Sequence, residues 1–285
     1  MFKIAAIGEL LWDNFPDGKR LGGAPANFAV MSKYLGHEAY IISAVGDDEP
    51  GIELIRQLNE WGIHSDLIQK HPSYRTGEVN IKLDCDGNPS YQIVENRACD
   101  HILYSEKIKE SLNQFDAITF GSLSSRSEDS KQTIFRVLSE LPEKCLKVCD
   151  LNIRKNYYSE DLIEQLLNRS DIFKINQYER NILENILKIN LKDGPSVKGL
   201  LKQYDLAMLI ITNGDKNSEI ITLNDISKRK SLAVKVIDTV GAGDSFLSAC
   251  VDGYLKKYML DKIHNNAVTL SARVCQVKGA TGILS

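Results

Sequence analysis

Strand-length apolar runs alternate with helical patterns along most of this chain of 285 residues. The first run, KIAAIGEL, precedes a helical stretch at 24–36 with a proline in its first turn and a glycine at its end. Strands are predicted at 39–46, 117–123, 146–154, 171–176 and 206–214, and helices at 49–62, 128–140, 159–168 and 177–188. The sequence therefore predicts a three-layer α/β/α fold with a mostly parallel central sheet, which binds its ligands beyond the carboxyl ends of the strands.

Residues 73–94 depart from this alternation. Polar and apolar side chains alternate singly there, and Asp86-Gly87 is a hairpin turn signal. This pattern is typical of an antiparallel sheet with one solvated face, and 10–21 contribute further strands to it. We expect a single domain, 1–285, that carries a small β lid formed by 10–21 and 73–94.

The composition is that of an ordinary soluble protein, with 43% hydrophobic and 26% charged residues. A net charge of −3 gives no indication of a nucleic-acid or membrane partner. No apolar segment approaches the ~20 residues of a bilayer-spanning helix, and the N-terminus lacks a cleavable signal pattern. The six cysteines form no C-x-x-C pair. We therefore expect a cytoplasmic protein with reduced, mostly buried cysteines.

The stretch DTVGAGDSF, 238–246, places a glycine-rich turn at the start of a helical pattern. A helix N-terminus carries unpaired N–H groups and partial positive charge, and Gly241, Ala242 and Gly243 leave those groups accessible to an anion such as a phosphoryl group. A carboxylate beside that anion, Asp244, suits a base that takes a proton from an attacking hydroxyl. The alternative is a simple helix cap, because Asp and Gly are both common at helix starts.

Five motifs together resemble the ribokinase-like (pfkB) family of carbohydrate kinases. DTVGAGDSF is similar to the C-terminal signature of that family, and GGAPANFAV at 22–30 to its N-terminal signature. VGDDEPG, KINQYE and ITNG resemble three intermediate motifs and come in the family order. GELLWD, GGAPANFA and DLNIR look most like bacterial fructokinases. The resemblance covers nearly the whole chain and implies the ribokinase-like fold, with its lid.

The resemblance also implies roles for individual residues. Asp244 would be the catalytic base, and Gly241, Ala242 and Gly243 would form the anion hole. Sugar binding would fall to a set drawn from several motifs: Asp13, Gly22, Gly23, Asn27, Arg97, Asn152 and Arg154. Nucleotide binding would fall to a second set: Asn176, Glu179, Thr212, Gly214 and Asn266.

The implied cofactors are ATP and Mg²⁺, with Glu179 acting on the metal through water. A monovalent cation, K⁺, would lie near Asp238 and Val240. Plainer alternatives stand beside some of these roles. Asn176 and Glu179 also form a capping box pattern, and Arg97 and Asn266 also suit ordinary surface positions.

We expect an ATP-dependent sugar kinase, with fructose the leading acceptor and fructose 6-phosphate the product. Another sugar, a sugar acid or a nucleoside is the alternative acceptor, and a catalytically inactive sugar-binding protein is the alternative class. One departure from the family is Asn217, which replaces the last glycine of the nucleotide loop. An exposed strand edge on the lid favours a homodimer.

Overall fold

The computed structural model describes residues 1–83 and 89–283, except for the side chains of 82, 83 and 89–91. The turn expected at Asp86-Gly87 lies outside the described residues. The strands are β1 Lys3–Ile7, β2 Leu11–Phe15, β3 Gly18–Gly22, β4 Glu38–Gly46, β5 Ile68–His71, β6 Gly77–Leu83, β7 Pro89–Ile93, β8 Ala117–Gly121, β9 Leu146–Asp150, β10 Ile172–Asn176, β11 Met208–Asn213, β12 Asn217–Ile221 and β13 Ile226–Lys230.

The α-helices are α1 Ala24–Tyr34, α2 Glu49–Glu60, α3 Glu106–Ser111, α4 Glu128–Glu140, α5 Glu160–Leu167, α6 Gln177–Leu187, α7 Gly194–Gln203, α8 Ala242–Leu255 and α9 Leu260–Val274. Short 3-10 turns occur at Ala98–Asp100, Leu112–Gln114 and Leu123–Ser125. No helix in 1–83 or 89–283 is long and apolar enough to cross a bilayer.

A nine-stranded sheet forms the centre of the molecule, in the order β13-β12-β11-β10-β9-β8-β1-β4-β5. Neighbouring strands from β11 to β5 run parallel, and β12 and β13 continue the sheet as antiparallel strands. The parallel part is the one that the apolar runs predict, since strands buried on both faces need no polar alternation.

Two hydrophobic clusters cover the two faces of this sheet. Along β1, Ile4 and Ala6 point into one cluster, together with residues of α1, α2, α8 and α9. Ala5 and Ile7 point into the other, together with residues of α3 to α7. Successive strand residues face opposite sides, so the two clusters make the three-layer α/β/α arrangement that the sequence predicts.

A second, four-stranded sheet has the order β3-β2-β6-β7. Its two hairpins are antiparallel, but β2 and β6 pair in parallel, with Leu11 opposite Gly77 and Asp13 opposite Val79. The antiparallel pairing expected within 73–94 is confirmed, whereas the strands of 10–21 join it through a parallel pair. The two hairpins come from distant parts of the chain. The segment between them returns the chain to the same end of the sheet, so β6 runs in the same direction as β2.

Candidate active site

The first turn of α8 is shaped by a glycine in a left-handed conformation. Gly241 caps the helix with φ 81°, and a Cβ there would overlap the side chain of Ala280. The Ala242 N–H donates to the Thr239 carbonyl over 3.2 Å. Helix geometry then leaves the N–H groups of Gly243 and Asp244 without intrahelical acceptors, as an anion site requires.

Asp244 lies in this first turn and is held by a residue from another helix. The Asn27 amide nitrogen, on α1, donates to Asp244 Oδ2 over 2.8 Å. Burial raises the pKa of Asp244 from 3.8 to about 7, and the nearby charge of Asp150 adds to the rise, whereas Lys174, Asn27 and Arg154 oppose it. A carboxyl group with this pKa can accept a proton near neutral pH.

A cavity of about 340 Å³ opens on one side of the turn. Five residues expected to bind the sugar line it: Asp13, Gly23, Asn27, Asn152 and Arg154. Gly241, expected in the anion hole, and Asp244, expected to be the base, line it too. Strands of the second sheet also contribute Leu11, Val79 and Ile93. Asn152 takes a left-handed conformation with φ 43°, which asparagine tolerates better than most residues.

Asp13 projects from β2 across the backbone of β3. A Cβ at Gly22 would overlap its carboxylate, so only glycine leaves room for Asp13 in this position. Burial raises the pKa of Asp13 to about 7; Arg154 opposes the rise, and Asp238 adds to it. Gly22 therefore supports the cavity through Asp13, although it is not itself among the lining residues.

Arg97 is not brought to this cavity. Its guanidinium donates to Glu78 on β6 over 2.6 Å, and its backbone N–H donates to Asp100 over 3.0 Å. The residue therefore ties the segment after β7 to the second sheet in the structure described.

A second cavity, of about 300 Å³, opens on the other side of the turn. Thr212, Gly214 and Asn217 line it, with exposed apolar residues Leu232 and Val236 on its wall. Asn217 is the first residue of β12 and pairs with Asn213, so the substitution for glycine sits in extended backbone. Helix α9 contributes three residues to this wall: Val268, Ser271 and Ala272.

Asn266 is not brought to the cavity wall, although it also lies on α9. The two cavities meet at the helix turn. Gly241 and Asp244 face the first, Ala242 and Gly243 face the second, and Thr239 borders both. A group bound on one side can therefore approach a group bound on the other at the helix N-terminus.

Asn176 and Glu179 form the capping box that the sequence offers as their plainer explanation. Asn176 Oδ1 accepts from Tyr178 N over 2.9 Å and from Glu179 N over 3.0 Å. Each oxygen of the buried Glu179 carboxylate also accepts a backbone N–H, from Ile153 and from Asn176, both over 2.8 Å. Burial and the charge of Asp150 raise the pKa of Glu179.

The donor set therefore fits a metal only through water. In 1–83 and 89–283 no group of three His, Cys, Asp or Glu side chains is placed to hold an ion. Mg²⁺ commonly keeps several waters and binds through one or two carboxylates and substrate phosphates. Asp238, expected near a monovalent cation, accepts from Val240 N over 3.0 Å and from Gly279 N over 2.8 Å.

The sequence pattern of the pfkB family carbohydrate kinases matches residues 11–285. The chain belongs to this family. An uncharacterized sugar kinase from Pyrococcus horikoshii is 30% identical over 97% of this chain and 91% of its own. Its crystal structure with ATP aligns with a TM-score of 0.83, at 27% identity over 98% of this chain and 94% of that one. The family resemblance and the three-layer fold are thereby confirmed.

Two other relatives carry more specific names. An ATP-dependent 6-phosphofructokinase from Thermoanaerobacterium thermosaccharolyticum is 29% identical over 98% of this chain and 89% of its own. A fructokinase from Escherichia coli is 24% identical over 88% of this chain and 84% of its own. This pfkB carbohydrate kinase thus resembles proteins with different sugar acceptors.

Three residues at or beside the candidate site lie outside the predicted set. Glu9 lines the first cavity, is buried, and accepts from the Ser124 hydroxyl. Asp150 and Lys174 form a buried ion pair beside the helix turn. A lysine inside the apolar run DIFKIN was the available signal, because a buried charge needs a partner.

Proposed function

We propose that this protein is an ATP-dependent fructokinase that converts D-fructose to fructose 6-phosphate. The observation that carries the proposal is the meeting of two cavities at the first turn of α8, where Asp244 faces one and Gly243 the other. Phosphoryl transfer needs a donor and an acceptor on opposite sides of an anion site, with a base on the acceptor side.

The chemistry follows from this arrangement. The sugar hydroxyl oxygen forms a bond to the γ-phosphorus, the bond from that phosphorus to the bridging oxygen of ADP breaks, and Asp244 takes the hydroxyl proton. The N–H groups of Gly243 and Asp244 stabilise the charge on the transferring group. Asn27 orients the Asp244 carboxylate through its 2.8 Å hydrogen bond. The buried Asn27 Oδ1 has no partner among the described residues and can accept a sugar hydroxyl.

The second cavity supports ATP as the donor. Leu232 and Val236 offer apolar surface to a base, and the wall reaches the helix turn at Gly243. The P. horikoshii relative was solved with ATP bound. Mg²⁺ supplies charge neutralisation on the phosphates when bound, and we assign Glu179 to its hydration shell. Binding of K⁺ near Asp238 and Val240 remains a prediction.

Fructose is the acceptor that the relatives and the motifs favour. A fructokinase is among the relatives, and GELLWD and DLNIR resemble fructokinase sequences. Asp13, Asn27 and Asn152 supply acceptors and donors for adjacent hydroxyls in a cavity of about 340 Å³. Arg154 is exposed at this cavity, so an acidic or phosphorylated sugar is the competing acceptor.

We further propose that 1–285 act as one kinase domain and that the four-stranded sheet is its lid. Leu11, Val79 and Ile93 from that sheet form part of the acceptor cavity wall. Hydrogen exchange in 77–83 should slow when fructose saturates the protein, and unchanged exchange would contradict a closing lid. A homodimer through the lid edge and a cytoplasmic location remain predictions.

The acceptor is tested by coupled ADP release with Mg-ATP across fructose, ribose, fructose 6-phosphate, 2-keto-3-deoxygluconate and adenosine. We expect fructose to give the highest kcat/KM, at least about tenfold above ribose, since one unpaired buried polar group is worth about 1–3 kcal/mol. A faster reaction with another acceptor contradicts the fructokinase assignment and leaves the kinase assignment standing. No ADP release above the sugar-free rate with any acceptor contradicts both.

A further inference from the structure

A buried ion pair joins two neighbouring strands beside the active site. Lys174 on β10 lies directly opposite Asp150 on β9 in the parallel register. The lysine Nζ donates to both carboxylate oxygens, over 2.8 and 2.7 Å. Only 6% of Lys174 and 7% of Asp150 is exposed. Charges buried this deeply persist only when they are paired.

The pair lies against the first turn of α8. Lys174 Nζ is 3.3 Å from the position that a Cβ on Gly243 would occupy. Asp150 and Asp244 line the same small cavity, together with Asn152. The ammonium group is therefore next to the backbone whose N–H groups form the anion site.

Negatively charged groups outnumber positively charged ones around this turn. Three carboxylates approach it, from Asp150 on β9, Glu179 on α6 and Asp244 on α8, and Arg154 follows β9 on the acceptor side. Burial opposes the charge of Lys174, but Asp150, Glu179 and Asp244 outweigh it and raise its pKa. Lys174 is the cation in direct contact with Asp150.

We propose that Lys174 is a positioning residue for phosphoryl transfer, because its ammonium group neutralises Asp150 and so keeps an unpaired negative charge away from Asp244 and the incoming phosphates. The proposal rests on the proposed phosphotransfer at Asp244. Repulsion between buried like charges is much stronger than in water, so an unpaired Asp150 would oppose both anion binding and the ionised form of the base.

A structural role would differ from this in a measurable way. A buried ion pair can often be replaced by neutral side chains of similar volume without loss of stability. If the pair only packs the core, the double change should impair the reaction at least as much as either single change. If its charge balance matters, each single change should perturb the site and the double change should largely restore it.

The test compares wild type with Lys174→Met, Asp150→Asn and the Lys174→Met/Asp150→Asn double variant. Lys174→Met should lower kcat about 10²-fold, the order lost with one donor at a charged transition state, and the double variant should return to within about tenfold of wild type. The acid limb of the kcat profile should move to higher pH in Lys174→Met and to lower pH in Asp150→Asn, with the double variant close to wild type.

Thermal unfolding and circular dichroism control for folding. If Lys174→Met does not fold, the comparison of Asp150→Asn with the double variant decides, and identical acid limbs in those two would overturn the proposal. A double variant no faster than Lys174→Met would also overturn it.

Binding of ADP, measured by calorimetry without sugar, separates this proposal from the choice of acceptor. Lys174→Met should weaken ADP binding at least about tenfold, and the double variant should restore it. Equal ADP affinity in folded wild type and variants would overturn the role of Lys174, even if every sugar were phosphorylated. Failure of wild type to phosphorylate any sugar, with the ADP pattern as expected, would overturn the proposed function alone.

Discussion

Asp244→Asn should lower turnover by orders of magnitude and at the same time stabilise the protein. The substitution keeps the size of the side chain and an oxygen that can accept from Asn27, but it removes the proton acceptor. Loss of a general base lowers kcat by about 10²–10⁴-fold. Binding of sugar and ATP should be retained, because the cavities on both sides of the turn are unchanged.

The gain in stability follows from the raised pKa of Asp244. Burial and Asp150 raise it from 3.8 to about 7, so the folded protein disfavours the ionised form that prevails in the unfolded chain at pH 8. Without screening, that difference would correspond to about 4 kcal/mol. Asp244 is half-buried and lines an open cavity, so solvent screening reduces this difference and we expect a gain of about 1–2 kcal/mol for asparagine.

The size of this gain in stability depends on pH. A carboxyl group whose pKa is higher in the folded state destabilises the fold increasingly as the pH rises from about 4 to about 7. The advantage of asparagine should therefore be full above about pH 7 and shrink toward pH 4. Urea unfolding of both proteins at pH 8 and pH 5, beside coupled ADP release, measures both effects. Turnover within tenfold of wild type, or equal stability at pH 8, would refute the reasoning.

Three further predictions rest on the same turn. In wild type, kcat/KM should fall about tenfold per pH unit below about pH 7 as Asp244 is protonated; a profile flat to pH 5 contradicts this. Asn27→Ala should lower kcat/KM for fructose and move the acid limb to higher pH, because its hydrogen bond favours the ionised carboxylate, while calorimetry should give an ATP Kd within about twofold of wild type. Gly241→Ala should cost about 1–3 kcal/mol in urea unfolding, since φ is 81° and Ala280 occupies the space for a Cβ; unchanged stability would contradict the reported crowding.

The central sheet could be predicted because its signals are local. Both faces of the parallel strands are buried, so their apolar runs are nearly continuous, and α4 begins and ends where the periodicity places it, at Glu128–Glu140. The same reasoning missed β5 and β13. β5 has only four residues, and β13 is ISKRK, whose charged side chains give no buried face to detect.

The pairing of the lid strands could not be predicted in full from local sequence patterns. Alternation of side chains indicated strands in 73–94, and further strands were expected from 10–21, but the parallel pairing of β2 with β6 joins segments more than 60 residues apart. Strand direction in such a pair depends on the route of the intervening chain, which a residue pattern does not record. The hairpins β2-β3 and β6-β7, which are local, are antiparallel as expected.

In the candidate site, too, residues in short motifs could be predicted and contacts between distant residues could not. Asp244, Asn27 and Thr212 lie in short motifs, and each is found on the turn or a cavity wall. The pairing of Lys174 with Asp150 could not be predicted without the register of β9 and β10. The contact of Arg97 with Glu78 joins residues 19 positions apart and could not be predicted from the sequence either, and a role for Arg97 in sugar binding stays a prediction.

The central claim is that the turn at 241–244 transfers a phosphoryl group from ATP to a sugar hydroxyl with Asp244 as the base. Phosphorus NMR of a reaction with D-fructose and Mg-ATP tests it directly, because it separates a sugar phosphate ester from free phosphate. Wild type should form fructose 6-phosphate and ADP in equal amounts, and Asp244→Asn, folded and still able to bind ATP, should form neither at an appreciable rate. Free phosphate as the sole product, or equal rates of ester formation by the two proteins, would contradict the claim.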